Sequence, residues 1–198
     1  MNRNLISSTT FKILITTVFI IIIIIAYKKR KTLKSIPMQT LNFIKEKTWD
    51  IVSDRRIDTL HPHIRSKTKE FIIKAEKELG IKLRVTSALR TWEEQTRLYN
   101  KGRSSPGRIV TNAKAGESYH NYGLAFDVVE IKNGKAIWDN PNWQKIGELG
   151  KSLGFEWGGD WVGLVDKPHF QMRFGKHHAE LAQLYKSGQR QGRFVNLS

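Results

Sequence analysis

The sequence predicts an α+β domain, a small antiparallel sheet with helices packed on it, preceded by one N-terminal transmembrane helix. Three observations carry this. Between Pro62 and Leu79 the apolar residues Ile64, Phe71, Ile72, Ala75 and Leu79 recur at helical spacing, whereas Ile81 to Ser87 alternates apolar and polar like a half-buried strand. Asn133-Gly134 separates two strand-like runs and marks a tight hairpin, so the strands it joins run antiparallel. From Ile13 to Tyr27 the chain carries no charge and includes six consecutive Ile at 20 to 25, a stretch with no polar face to offer solvent.

The elements follow in order. With Phe11 and a snorkelling Lys12, the apolar run approaches the lower length limit for crossing a bilayer. No small-residue cleavage site follows it. The run ends instead in Ala26-Tyr27-Lys28-Lys29-Arg30-Lys31, which favours a retained anchor over a cleaved signal peptide. Residues 1–31 thus form the anchor with its basic flank. Residues 32–53 read as a linker leading into a short helix, with Pro37 breaking whatever precedes it. The helix over 62–79 stops at Gly80, and the strand over 81–87 follows. Thr91 caps a helix from Trp92 to about Lys101, ended by Gly102. Residues 103–118, rich in Gly, Ser, Lys and Pro, read as a surface loop. Leu124 to Ile131 forms a second strand, and Lys135 to Trp138 its hairpin partner. A helix starts at Asn140-Pro141 and closes at Gly154, and a last strand runs from His169 to Phe174. Residues 176–198 form a basic tail with one helical stretch near His178 to Lys186.

Composition narrows the chemistry. The 198 residues include six Trp, nine Phe and five Tyr, enough to build a core, and no Cys, so any metal must be held by His, Asp or Glu. The net charge of +16 invites a nucleic-acid reading. However, seven of the basic residues lie within residues 1–37, and the aromatic residues gather around His and Asp rather than along a Lys/Arg face. No nucleic-acid partner is expected. An anionic wall polymer or membrane surface accounts for the charge equally well.

Three stretches carry the candidate chemistry: Ser118-Tyr119-His120-Asn121-Tyr122-Gly123-Leu124-Ala125-Phe126-Asp127, Trp157-Gly158-Gly159-Asp160-Trp161, and Asp166-Lys167-Pro168-His169-Phe170-Gln171. Two adjacent strands would set Asp127 beside His169, and the loop before Asp127 would fold His120 over them. That is a three-ligand set of the kind catalytic zinc uses. Asp166 is a further carboxylate placed to take a proton from the attacking water, and Arg90, just after a strand, could stabilise an oxyanion. On residue types alone, a His near an Asp is more often a structural hydrogen-bonded pair than a metal site. His177-His178 reads as a solvated helical face, His61 and His63 as helix-start residues, and Trp157 and Trp161 equally well as packing.

The pattern Ser-x-His-x-x-Gly-x-Ala-x-Asp, Trp-Gly-Gly-Asp-Trp and Asp-x-Pro-His-Phe-Gln resembles the M15 family of zinc peptidases. That family includes the VanY-like D-alanyl-D-alanine carboxypeptidases and the L-alanyl-D-glutamate endopeptidases, with the hedgehog/DD-peptidase fold. Ser87 to Gln95 and Leu60-His61-Pro62 extend the likeness, which runs from about Asp54 to Phe174. The resemblance implies a zinc peptidase domain over 54–175 holding one zinc ion through His120, Asp127 and His169. It further implies Asp166 as general base, Arg90 as oxyanion stabiliser, and Ser118, Gln95 and Trp161 as substrate-binding residues. The implied partner is the peptidoglycan stem peptide. An Asp at the base position, as in Asp166, accompanies the endopeptidases of this group, so cleavage between L-Ala and D-Glu is expected. Removal of terminal D-Ala and a non-catalytic zinc-holding wall-binding module are the alternatives. The expected location is the cell membrane, single-pass, with the catalytic domain on the envelope side, or secretion if the segment is cleaved. The basic run after the apolar stretch opposes that orientation, because positive charge is retained in the cytoplasm.

Overall fold

The computed structural model describes residues 37–197. The expected transmembrane segment lies outside the described residues, and no helix among those described is long and apolar enough to cross a membrane. From Phe43 onward the described residues form one compact unit, which holds the whole of the sheet.

The helices are α1 (Met38–Asp58), α2 (Pro62–Leu79), α3 (Trp92–Asn100), α4 (Trp143–Ser152) and α5 (His178–Lys186). The strands are β1 (Leu83–Ser87), β2 (Ala125–Lys132), β3 (Lys135–Ile137), β4 (Glu156–Trp157), β5 (His169–Gln171), β6 (Arg190–Gln191) and β7 (Phe194–Val195). The main sheet has the order β1-β2-β5-β4 with β3 on β2, and every pairing is antiparallel. This is the predicted α+β architecture. The central strand β2 pairs with β5 through its first half and with β3 through its second.

Phe71 of α2, Phe126 of β2, Phe155 and Phe170 of β5 meet at the centre of the core, with ring centroids 4.8 Å apart between Phe71 and Phe170. Helix α4 comes close to the sheet because Gly147 faces the Trp157 ring and Gly150 the Phe170 ring; an added Cβ at either would enter those rings. Helix α2 starts as read, with Pro62 in its first turn and the His61 side chain accepting from the His63 amide, and it stops at a left-handed Gly80.

Two expectations are corrected. The stretch read as a linker over 32–53 is, from Met38 onward, a helix of 21 residues. A short helix is expected at its end, but not one of this length, because its apolar residues form no single stripe; only Ser53 and Ile57 are buried. It is held instead by polar contacts to the edge strand β1. Ser53 accepts the Val85 amide at 3.0 Å, Arg56 donates to the Val85 carbonyl at 2.9 Å, and Asp50 binds Arg84 at 2.6 Å. These satisfy edge groups that would otherwise offer a pairing surface. The second is the end of the domain, set at 175: the helix read near His178 to Lys186 is α5, and the residues after 175 pack on the core. Leu181 of α5 and Val195 of β7 belong to the core, and His61 Nε2 donates to the Val195 carbonyl at 3.0 Å.

Candidate active site

The site is built on the register of β2 and β5, which sets Asp127 directly opposite His169. His120 comes from a short 3-10 turn, Tyr119–Tyr122, that ends at Gly123 with φ 69°. A side chain there would strike the His61 amide, which instead donates to the Gly123 carbonyl at 2.8 Å. That contact ties the turn to the start of α2. Asn121 holds the other side, donating to the Arg90 and Thr91 carbonyls at 3.0 and 3.2 Å.

Three atoms converge: His120 Nε2, His169 Nδ1 and Asp127 Oδ1. Their separations are 3.2 Å between the histidines, 3.3 Å from His120 to Asp127 and 3.1 Å from His169 to Asp127. Tetrahedral zinc with bonds of about 2.0–2.2 Å places its ligand atoms about 3.3–3.6 Å apart, so the triangle has nearly the size such an ion requires. The protonation pattern fits too. His120 Nδ1 faces the Ala88 carbonyl at 2.7 Å; a carbonyl only accepts, so the proton is on Nδ1 and the lone pair on Nε2 points inward. The trio is the one metal-capable group of three or more such residues among the described residues. The histidine side chains are 3% and 8% exposed, while Asp127 is 19% exposed and opens onto the cleft. Without a cation, burial alone would push the Asp127 carboxyl up, but the adjacent His120 and His169 hold it well below the usual carboxylate range. Burial lowers the His120 imidazole; it also opposes charge on His169, where Asp127 prevails and raises the group.

A cleft of about 510 Å³ lies over this centre, lined among others by Arg90, Ser118, Trp161 and Asp166. Asp166 is fixed through its backbone. Its amide donates to the Gly158 carbonyl at 3.0 Å and its carbonyl accepts from the His169 amide at 3.1 Å. Gly158 must be glycine because a Cβ would fall on the Asp166 carbonyl oxygen. Burial, then the Asp127 charge, raises the Asp166 carboxyl above its ordinary value. Arg90 donates to Gln95 Oε1 at 2.9 Å and Ser87 Oγ at 3.1 Å, and its Nη2 lies 3.7 Å from Asp127 Oδ2. Trp161 packs on the metal-ligand face, its ring centroid 4.9 Å from that of His169. Trp157 is a packing residue, buried with its indole donating to the Lys167 carbonyl at 2.7 Å.

Of the residues singled out in the sequence, His120, Asp127, His169, Asp166 and Arg90 come together, with Ser118 and Trp161 on the cleft wall. Gln95 is the exception. It is fully buried beneath Arg90 and donates to the Ala113 carbonyl at 2.7 Å, so it supports the arginine and the loop instead of facing substrate. Residues that received no role earlier are Ser87, Asn121 and Gln171. Gln171 had a legible signal: two places after His169 in a strand, it projects from the same face.

The family profile described as D-alanyl-D-alanine carboxypeptidase of the M15 peptidases matches residues 111–172. The peptidoglycan L-alanyl-D-glutamate endopeptidase CwlK of Bacillus subtilis (strain 168) is 43% identical over 123 residues, covering 57% of this chain and 73% of that protein. The L-alanyl-D-glutamate peptidase of Listeria phage A118 is 38% identical over 98 residues, covering 48% of this chain and 32% of the phage protein. Among solved structures, the L-Ala D-Glu endopeptidase ChiX of Serratia marcescens is 26% identical with a TM-score of 0.44, covering 62% of this chain and 86% of that one. The chain belongs to the M15 family of zinc peptidases.

Proposed function

We propose that this chain hydrolyses the bond between L-Ala and D-Glu in the stem peptides of bacterial peptidoglycan. The observation that carries the reading is the inward-facing triangle of His120, Asp127 and His169 at the floor of a cleft walled by Asp166 and Arg90. The likeness to CwlK selects the bond.

Zinc held by His120, Asp127 and His169 supplies Lewis acidity toward the carbonyl and toward water. Asp166 acts as general base, accepting the proton of the attacking water and delivering it to the departing amine of D-Glu. Its burial suits the accepting step, because a carboxylate whose pKa is raised above its ordinary value is the stronger base. Arg90, kept rigid by Gln95 and Ser87, faces the negative charge that develops on the scissile carbonyl oxygen. Ser118 and Trp161 hold the peptide along the cleft wall.

The test incubates the full chain in detergent with purified peptidoglycan, with zinc or with EDTA, and reads the fragments by mass spectrometry. Muramyl-L-Ala ends and peptides beginning at D-Glu, both abolished by EDTA, are expected. Free D-Ala as the product would move the chain to the carboxypeptidase reading, which the matched family profile favours. Stoichiometric zinc with no product would leave a wall-binding module. The apolar run at 13–27 supports a membrane anchor, and the wall substrate requires the domain on the envelope side, against the bias of the basic run Lys28 to Lys31. Carbonate-resistant pelleting and protease sensitivity in intact spheroplasts are expected, and protection from external protease would overturn that orientation.

A further inference from the structure

One histidine of the trio is oriented by the backbone and the other by side chains. His120 leans on the Ala88 carbonyl, which no substitution removes. His169 Nε2 instead meets Gln171 Oε1 at 3.1 Å, and Gln171 Nε2 meets Glu156 Oε2 at 3.0 Å. Glu156 is gripped by Arg173 Nε at 2.6 and 2.7 Å to its two oxygens. The sheet makes this row. His169 and Gln171 share a face of β5, and Glu156 of β4 is the register partner of Gln171.

The direction of every bond in the row follows from Glu156. An ionised carboxylate only accepts, so the Gln171 amide must turn its NH2 toward Glu156 and its oxygen toward His169. That oxygen also only accepts, so His169 must carry its proton on Nε2. Its Nδ1 is then left with a lone pair aimed at Asp127 and His120. Without Glu156 the Gln171 amide can invert, present NH2 to the imidazole and draw the lone pair to Nε2, and the proton then sits on Nδ1 where a metal must bind.

We propose that Glu156 and Gln171 are positioning residues that fix the metal-binding tautomer of His169 and thereby set the zinc affinity of the site. This rests on the reading of His169 as a zinc ligand. The two-residue strand β4 gains a reason beyond packing: it delivers a carboxylate to the far end of the row.

The test strips the full chain of metal and measures zinc affinity by competition with a chromophoric chelator. Melting of the metal-free proteins is followed in parallel. Glu156→Ala and Gln171→Leu are expected to weaken zinc binding about 10–100-fold, the usual cost of losing a partner behind a ligand. The exchange variant, Gln171→Glu with Glu156→Gln, restores an acceptor facing His169 and a donor behind it, and is expected to recover most of the affinity. A merely structural role would lower melting of the metal-free protein without changing zinc affinity. Wild-type affinity in Glu156→Ala, or no recovery in a folded exchange variant, would overturn the proposal while leaving the zinc reading intact. Failure of the wild type to bind zinc, or full binding by His169→Ala, would remove the zinc reading and the proposal with it.

Discussion

Replacing Gln95 by leucine separates two ways in which that residue can serve the site. Facing substrate, its loss would raise KM. Beneath Arg90, as found, its loss frees the guanidinium to which the proposed mechanism gives the developing oxyanion. The change removes the bond from Arg90 at 2.9 Å and the bond to the Ala113 carbonyl at 2.7 Å. The first is charge-assisted and worth about 1.5–3 kcal/mol, the second about 0.5–1.5 kcal/mol. The expected destabilisation is therefore about 2–4 kcal/mol. At about 2–4 °C per kcal/mol for a domain of this size, melting falls by about 4–16 °C. Ser87 still holds the arginine at 3.1 Å, so its charge stays in the cleft but loses its fixed direction. Full loss of an oxyanion donor costs about 100–1,000-fold in kcat, so a displaced donor should cost about 10–100-fold, with KM little changed. The assay is steady-state hydrolysis of a soluble muramyl-peptide well below the melting temperature, with zinc content measured on the same samples. A raised KM with unchanged kcat would refute the buried, supporting role and return Gln95 to the substrate face.

Other outcomes follow from the same geometry. Asp166→Ala should keep zinc and lose turnover by about 100–10,000-fold, whereas His120→Ala should lose both, as read by metal analysis and hydrolysis. Asp166 must be ionised to accept a proton, and burial, followed by the Asp127 charge, raises its carboxyl. Activity is then full above that raised value and is lost as pH falls through it. The acid limb of kcat/KM should therefore lie above that of an ordinary aspartate; a limb at or below the ordinary value would contradict the buried environment. Gly150→Ala drives a methyl group into the Phe170 ring between α4 and β5, and should cost about 1–3 kcal/mol in thermal or denaturant unfolding.

Much of the domain could be read in the sequence because its signals are local. The spacing from Ile64 to Leu79, the Thr91 cap with Glu94 closing its capping box, and the Asn133-Gly134 turn each act over a few residues. That His120, Asp127 and His169 come together was legible for a related reason: antiparallel pairing sets Asp127 opposite His169, and the turn just before β2 carries His120. The structure alone decided what depends on partners remote in the chain. Helix α1 carries no apolar stripe, so its place follows from Ser53 and Arg56 meeting the free edge of β1. The tail joins the core because Leu181 and Val195 pack into it and the Val195 carbonyl meets His61. Gln95 changed from cleft wall to foundation because burial is a property of the folded neighbourhood. Gln171 gained a partner when a two-residue strand, too short for any periodic signal, set Glu156 beside it. Residue type and spacing thus fix which groups can do chemistry, and packing fixes the direction in which each hydrogen bond points.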